Sequence, residues 1–207
     1  MESAAAIPLL GPSPPMWTDL EFLDWLQPGV HADLIDGEKA MHSPVSLAHA
    51  RLVNFLEYLL RRWMETSGCG GEVFQEVVAV RLSQRNVFLP DLCWFGPEQV
   101  PHLLPTHAPM APRWVCEVLS ARTADRDLGP KFAAYEEHGT REYWTLDPEG
   151  LQHRFHFREG DYLMAAEPVD GWVHSREIPG FKVRTEWLNP AALPEAATCL
   201  TAMNAGV

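Results

Sequence analysis

Two carboxylates interrupt apolar runs that otherwise read as β-strands, and that limits how the chain can fold. Val87-Phe88-Leu89 leads into Pro90-Asp91-Leu92-Cys93-Trp94-Phe95, and Trp114-Val115-Cys116 leads into Glu117-Val118-Leu119. An unpaired charge is costly to bury, so Asp91 and Glu117 require a cation, a hydrogen-bond network or a raised pKa. Side chains alternate along a strand, which places Val115, Glu117 and Leu119 on one face and Cys116 and Val118 on the other. If both acids point to one place, a divalent ion meets the requirement. Hard oxygen ligands of this kind suit Mg2+ or Mn2+ better than Zn2+.

A lysine follows at a telling position. Pro130 fits the first position of a helix that runs to about His138 before Gly139, so Lys131 falls in its first turn. The helix dipole disfavours a cation there by about 0.3 to 1 kcal/mol, which points to some other use. Spacings of four and three place Lys131, Tyr135 and His138 on one helical face. A bland reading stands beside the functional one: Lys131 covers the strand ends or pairs with Glu117, and either acid taken alone fits a structural role. Two acids and a lysine together favour a site.

Thr18-Asp19-Leu20-Glu21 has the form of a capping box opening a short helix to Trp25 or Leu26. His31 to Met41 reads as a hairpin turning at Asp36-Gly37, with Asp33 on its first strand. Ser46 caps a long amphipathic helix whose stripe of Leu52, Phe55, Leu56, Leu59, Leu60 and Trp63 ends near Gly68. Strands are expected at 71–82, 86–95 and 113–120, with a Pro-rich loop from Pro97 to Pro112 that is long enough to carry substrate selection beside the site. Strands at 141–146 and 151–157 flank the turn Asp147-Pro148-Glu149-Gly150, where Asp147 is a turn residue. Segments 162–164 and 172–178 complete the sheet. The expected organisation is an Ala/Pro-rich arm at 1–15, one α/β domain at 16–189, and a helical or frayed tail at 190–207.

A chain of 207 residues with 46% hydrophobic content supports one substantial core. Its apolar stretches are too short for a signal peptide or a membrane span, so a soluble, cytoplasmic protein is expected. Cys69, Cys93, Cys116 and Cys199 lack metal-ligand spacing and read as reduced thiols. His153 and His156 stand three apart on a strand and face opposite ways, making poor co-ligands.

At the level of motifs, the chain resembles the Uma2-like endonuclease family of the restriction-endonuclease-like superfamily, whose active site is written PD-(D/E)xK. The resemblance spans about Trp17 to Trp187. It rests on Asp33-Leu34-Ile35-Asp36-Gly37-Glu38, His49 at a helix head, Pro90-Asp91, Glu117-Val118-Leu119-Ser120, Asp127 with Lys131 and Tyr135, and Glu142-Tyr143-Trp144 leading to Asp147-Pro148. It implies a mixed β-sheet flanked by helices, with an added β-hairpin and C-terminal strands. It also implies Asp91, Glu117 and the backbone carbonyl of Val118 as metal ligands, Asp33 and Lys131 as further catalytic residues, and His49, Tyr135 and Arg113 at the periphery. The plain superfamily pattern puts lysine two residues after the second acid, where this chain has Leu119, so Lys131 would be a migrated lysine. The family usually carries Glu where Asp33 stands, and the shorter side chain suits a water-mediated role as well as a direct bond. Members are often bacterial.

The activity implied is Mg2+-dependent hydrolysis of DNA phosphodiester bonds, with Mn2+ able to substitute. Net charge opposes it: 16 Lys and Arg stand against 28 acids, a balance of -12, whereas affinity for nucleic acid comes mainly from cations on phosphates. Arg81, Arg85, Arg113, Arg122, Arg126 and Lys131 are the candidates for a local basic lip. Weak, salt-sensitive DNA binding, or reliance on a partner or homodimer, is therefore expected. Two other classes stay open. One is a catalytically weak or inactive nuclease-fold binding or regulatory module; the other is a glycosidase-like carboxylate pair, which leaves Lys131 unexplained.

Overall fold

A computed structural model describes residues 16–205. In chain order it contains α1 (Asp19–Trp25), β1 (Ala32–Ile35), β2 (Glu38–Met41), α2 (Leu47–Ser67), β3 (Glu72–Phe74), β4 (Val80–Arg81), β5 (Val87–Phe88), β6 (Leu92–Phe95), β7 (Trp114–Val118), α3 (Ala124–Asp127), α4 (Pro130–Glu137), β8 (Glu142–Leu146), β9 (Arg154–Glu159), β10 (Tyr162–Ala165), β11 (Trp172–His174), β12 (Lys182–Arg184) and α5 (Ala196–Asn204). The arm expected at 1–15 lies outside the described residues.

Local chemistry starts and stops the helices as expected. Thr18 and Glu21 form a reciprocal capping box on α1, and Ser46 accepts the His49 N–H at the start of α2. Gly68, with φ of 69°, ends α2 in the left-handed conformation. The β1–β2 hairpin turns at Asp36 and Gly37, both at positive φ, in the register Ile35 opposite Glu38.

The central sheet has six strands in the order β10-β9-β8-β7-β6-β3, with β7 and β8 parallel and every other pair antiparallel. It is therefore mixed, and helices flank it. Leu92, Trp94, Trp114, Cys116, Val118, Trp144 and Leu146 face the apolar stripe of α2, joined by Cys199 and Met203 of α5. Cys93, Phe95, Val115 and Tyr143 face the other way onto Ala134 and Tyr135 of α4. Alternation thus puts Glu117, in step with Val115, on the α4 side, where Lys131 arrives.

Three strand expectations are corrected. The runs at 71–82 and 86–95 each break in two: β3 and β6 join the central sheet, whereas β4 and β5 join the hairpin in a separate sheet of order β2-β1-β5-β4. Pro90 cannot donate to a ladder, so the chain crosses from one sheet to the other around it. In the earlier run the break falls at Glu76, which has φ of 49°. The segment 172–178 does not complete the central sheet, because only β11 is extended and it pairs with β12 in a two-stranded sheet. Residues 196–204 are helical, and α5 buries Cys199 and Met203 against α2.

Glu142 is fully buried at the opposite end of β8 from the region near Glu117. Its Oε2 accepts from Ser175 Oγ at 2.8 Å, Arg176 N at 2.9 Å and Glu177 N at 3.1 Å, tying the segment after β11 to the sheet. Burial pushes the Glu142 carboxyl up to about 7 despite those donors. A carboxyl raised on folding contributes stability that is complete below its ordinary value of 4.5 and lost as pH rises through about 7. Glu142→Gln keeps an acceptor oxygen and removes the ionisation. Across that window the native protein should lose about 3 kcal/mol more stability than Glu142→Gln, measured by urea denaturation at stepped pH. Parallel curves would refute the assignment.

Candidate active site

The two strand breaks meet, and the backbone groups freed there turn to acidic side chains. The Leu89 N–H donates to Asp33 Oδ1 at 2.8 Å, and the Asp91 N–H donates to Glu117 Oε2 at 3.2 Å. In return the Val118 N–H donates to Asp91 Oδ2 at 2.6 Å, and the Glu76 N–H donates to the Pro90 carbonyl. Side chains thus continue the β6–β7 ladder back past the residue where β6 begins. The result is a cleft of about 630 Å3 whose wall includes Asp33, His49, Glu76, Asp91, Glu117, Val118, Asp127 and Lys131.

Lys131 lies at the floor, buried with Asp33, Glu117 and Asp127. Its Nζ stands 2.7 Å from Glu117 Oε1, 3.2 Å from Asp127 Oδ1 and 3.4 Å from Asp33 Oδ2. An ammonium has three protons, and here it faces three carboxylates. Burial alone would lower the lysine pKa, but the three acids hold it well above its ordinary range. Asp33 is held below its usual value because Lys131, His42 and the Leu89 N–H outweigh its burial. Glu117 goes the other way: burial, with Asp127 and Asp91 close by, lifts it well above the carboxylate range against the pull of Lys131. The cleft holds more acid than one lysine can balance, which is the electrostatic condition for taking up a further cation.

The opposite wall is formed by the head of α2. His49 Nε2 is 3.4 Å from Asp91 Oδ1 and 3.8 Å from Glu76 Oε1, and neither ring nitrogen has a hydrogen-bond partner among the described residues. Burial would depress this imidazole, yet Asp91 and Glu76 raise it to about 10. An orphaned buried nitrogen aimed between two carboxylates is a fit for a divalent ion. Oxygen atoms of Glu76 and Asp91 and a ring nitrogen of His49 all lie within 4.8 Å of one another.

Asp33, Asp91, Glu117, Val118, Lys131 and His49 are thus brought together as the sequence suggested. Tyr135 is not on the cleft wall: it is fully buried between Phe88 and Tyr143, supporting the helix that carries Lys131. Arg113 is also not at the periphery. It precedes the start of β7, whereas Glu117 and Val118 end that strand, and it pairs with Glu98 and Glu177. The Pro-rich loop leaves β6 at the same remote end, and none of its residues lines the cleft. The segments near the mouth are instead 29–31, 41–46 and 120–127. Of the suggested basic lip only Arg122 and Arg126 line the cleft beside Lys131, while Arg81 pairs with Asp19 and Arg85 bonds the Asp36 carbonyl. His138 turns back to the Ala134 carbonyl. Glu76 and Asp127 are the acids that sequence reasoning left without a role. Asp127 stands four residues before Lys131, a spacing that could have flagged it although a turn at Leu128-Gly129 separates their helices; nothing local marks Glu76.

This mixed sheet, crossed at one edge of the site by a hairpin sheet, is a fold seen in a solved structure. The chain is similar to a crystal structure from Anabaena variabilis described as a "putative nuclease belonging to DUF820", with a TM-score of 0.69 at 16% identity, covering 83% of this chain and 96% of that one. The model of the Uma2 family, described as "Putative restriction endonuclease", matches residues 19–187, and the chain belongs to that family. No curated protein matches the chain. Among the described residues, no helix is long and apolar enough to cross a membrane.

The buried lysine network sets a stability expectation. Lys131→Met leaves three acids around an uncharged side chain, a change that should cost about 3 to 5 kcal/mol near neutral pH. The loss should shrink as pH falls and the Glu117 carboxyl, already raised by its burial, takes up a proton. Urea unfolding of both proteins at several pH values tests this, and a variant as stable as the native protein at about pH 8 would contradict it.

Proposed function

We propose that the protein is a divalent-metal-dependent endonuclease that hydrolyses DNA phosphodiester bonds in this cleft. The carrying observation is the convergence of Asp91, Glu117 and Lys131 at the strand break of a chain that belongs to the Uma2 family. Asp91 and Glu117, with the Val118 carbonyl, are the residues that would hold Mg2+ or Mn2+; such an ion, when bound, lowers the pKa of water and offsets charge on phosphoryl oxygens. Lys131 keeps its proton under the pull of three carboxylates, so its role is to orient the attacking water and balance charge rather than to act as base. Asp33 and Asp127 fix the ammonium in place, and Asp33 also anchors the Leu89 backbone. Arg122, exposed at the rim and bonded to Ser43, and Arg126 are placed to meet substrate phosphates.

A second reading, a nuclease-fold binding module with little turnover, is favoured by one feature. Asp33 stands where the family usually has Glu, and its oxygens are engaged by the Leu89 N–H, His42 and Lys131.

Cleavage of supercoiled plasmid and of single-stranded DNA, at low salt with Mg2+ or Mn2+, separates the two. The native protein should cut, and Glu117→Gln and Asp91→Asn should cut at least about 100-fold more slowly while remaining folded. Metal uptake without cutting would support the binding module. An Asp91→Asn protein with full activity would exclude the proposed chemistry. In DNA binding, Arg122→Ala should weaken affinity about equally for all sequences and lower the salt slope by about one.

A further inference from the structure

We infer that His49, Glu76 and Asp91 form a transition-metal site that shares Asp91 with the Glu117 site and takes a first-row divalent ion, Mn2+ included, in preference to Mg2+. The inference rests on the reading of the cleft as metal-dependent and gives it a second ligand set, with a nitrogen donor.

The orientation of Asp91 divides the cleft. Its Oδ2 is committed to the Val118 N–H, so Oδ1 is the free oxygen, and Oδ1 faces His49 rather than Lys131. Glu117 lies across the divide, with Oε1 against Lys131 and Oε2 on the Asp91 N–H. On the His49 side the separations of 3.4 and 3.8 Å are too long for good hydrogen bonds. They match the spacing of about 3 to 4 Å that two donor atoms keep when each stands about 2.1 Å from a common ion. His49 is 4% exposed, and neither ring nitrogen has a hydrogen-bond partner among the described residues, so the imidazole is held here by the two facing carboxylates alone, at separations that a bound ion would bridge. The Ser46 cap fixes its backbone at the head of α2, while the turn at Glu76, held by the Pro90 carbonyl, delivers the carboxylate from the other strand break. One nitrogen and two carboxylate oxygens leave positions for water or for a phosphate oxygen. An imidazole nitrogen binds first-row divalent ions, Mn2+ the weakest of them, better than it binds Mg2+, which prefers oxygen and keeps its waters.

The full chain can be titrated with Mn2+ alone, following loss of the free-ion signal by electron paramagnetic resonance, and then with Mg2+ as competitor. The native protein should bind Mn2+, and an excess of Mg2+ should displace it poorly. His49→Gln and Glu76→Gln should each weaken by at least about tenfold the Mn2+ uptake that Mg2+ displaces poorly, while Mn2+ that Mg2+ displaces readily belongs to the Glu117 site. Glu76 is on a part-exposed turn, so its variant tests the site even if the His49 variant unfolds. Uptake unchanged in folded Glu76→Gln, or no Mn2+ bound by the native protein, would overturn the inference. Uptake abolished only by Glu117→Gln would overturn it too, while leaving the endonuclease proposal intact. DNA cleavage is scored separately, so failure of that proposal is visible on its own.

Discussion

The exchange between Asp91 and the β7 strand is the interaction on which the cleft depends. Pro90 ends the ladder because it has no N–H, and two side chains replace the missing backbone partners: Glu117 takes the Asp91 N–H and Asp91 takes the Val118 N–H. Without those bonds, buried donors at the end of a central strand would be left unsatisfied. The same bonds fix the direction of each carboxylate, so the groups that hold the strand break together also aim the site. Stability and chemistry are coupled here through the same atoms.

That coupling explains the unusual charge content. Five acids, Asp33, Glu76, Asp91, Glu117 and Asp127, converge on one cleft with a single lysine among them. Acids so placed cost folding energy unless cations arrive, and the structure meets the cost only in part, through Lys131 and through backbone N–H groups. Burial, with the remaining imbalance, raises the pKa of Glu117, and the facing Asp91 and Glu76 raise that of His49 against its burial. A site of this kind is poised to bind positive charge, and the negative balance of the chain as a whole does not bear on it. Local charge at Arg122 and Arg126 matters more for an anionic substrate than the total.

Much of the fold was legible in the sequence because its signals are local. The capping box at Thr18, the Asp36-Gly37 turn, the α2 stripe and the Pro130 helix start each depend on residues within a few positions of one another, and each appears where expected. The face of Glu117 followed from strand alternation alone. The splitting of 71–82 and 86–95 was not legible, because both runs keep strand composition on either side of the break. Only pairing partners distant in sequence decide that β5 joins the hairpin and β6 the central sheet.

The sequence by itself determined which residues are available for chemistry: two acids in apolar runs, a lysine at a helix start, and an order of motifs that resembles the Uma2 family. Tertiary structure decided which of them meet. It placed Arg113 and the Pro-rich loop at the far end of β7, buried Tyr135 beneath the site, and brought in Glu76, which has no local signature. The physical reason is that carboxylate direction is set by hydrogen bonds to backbone groups 26 to 56 residues away, and those groups become neighbours only when the sheets assemble.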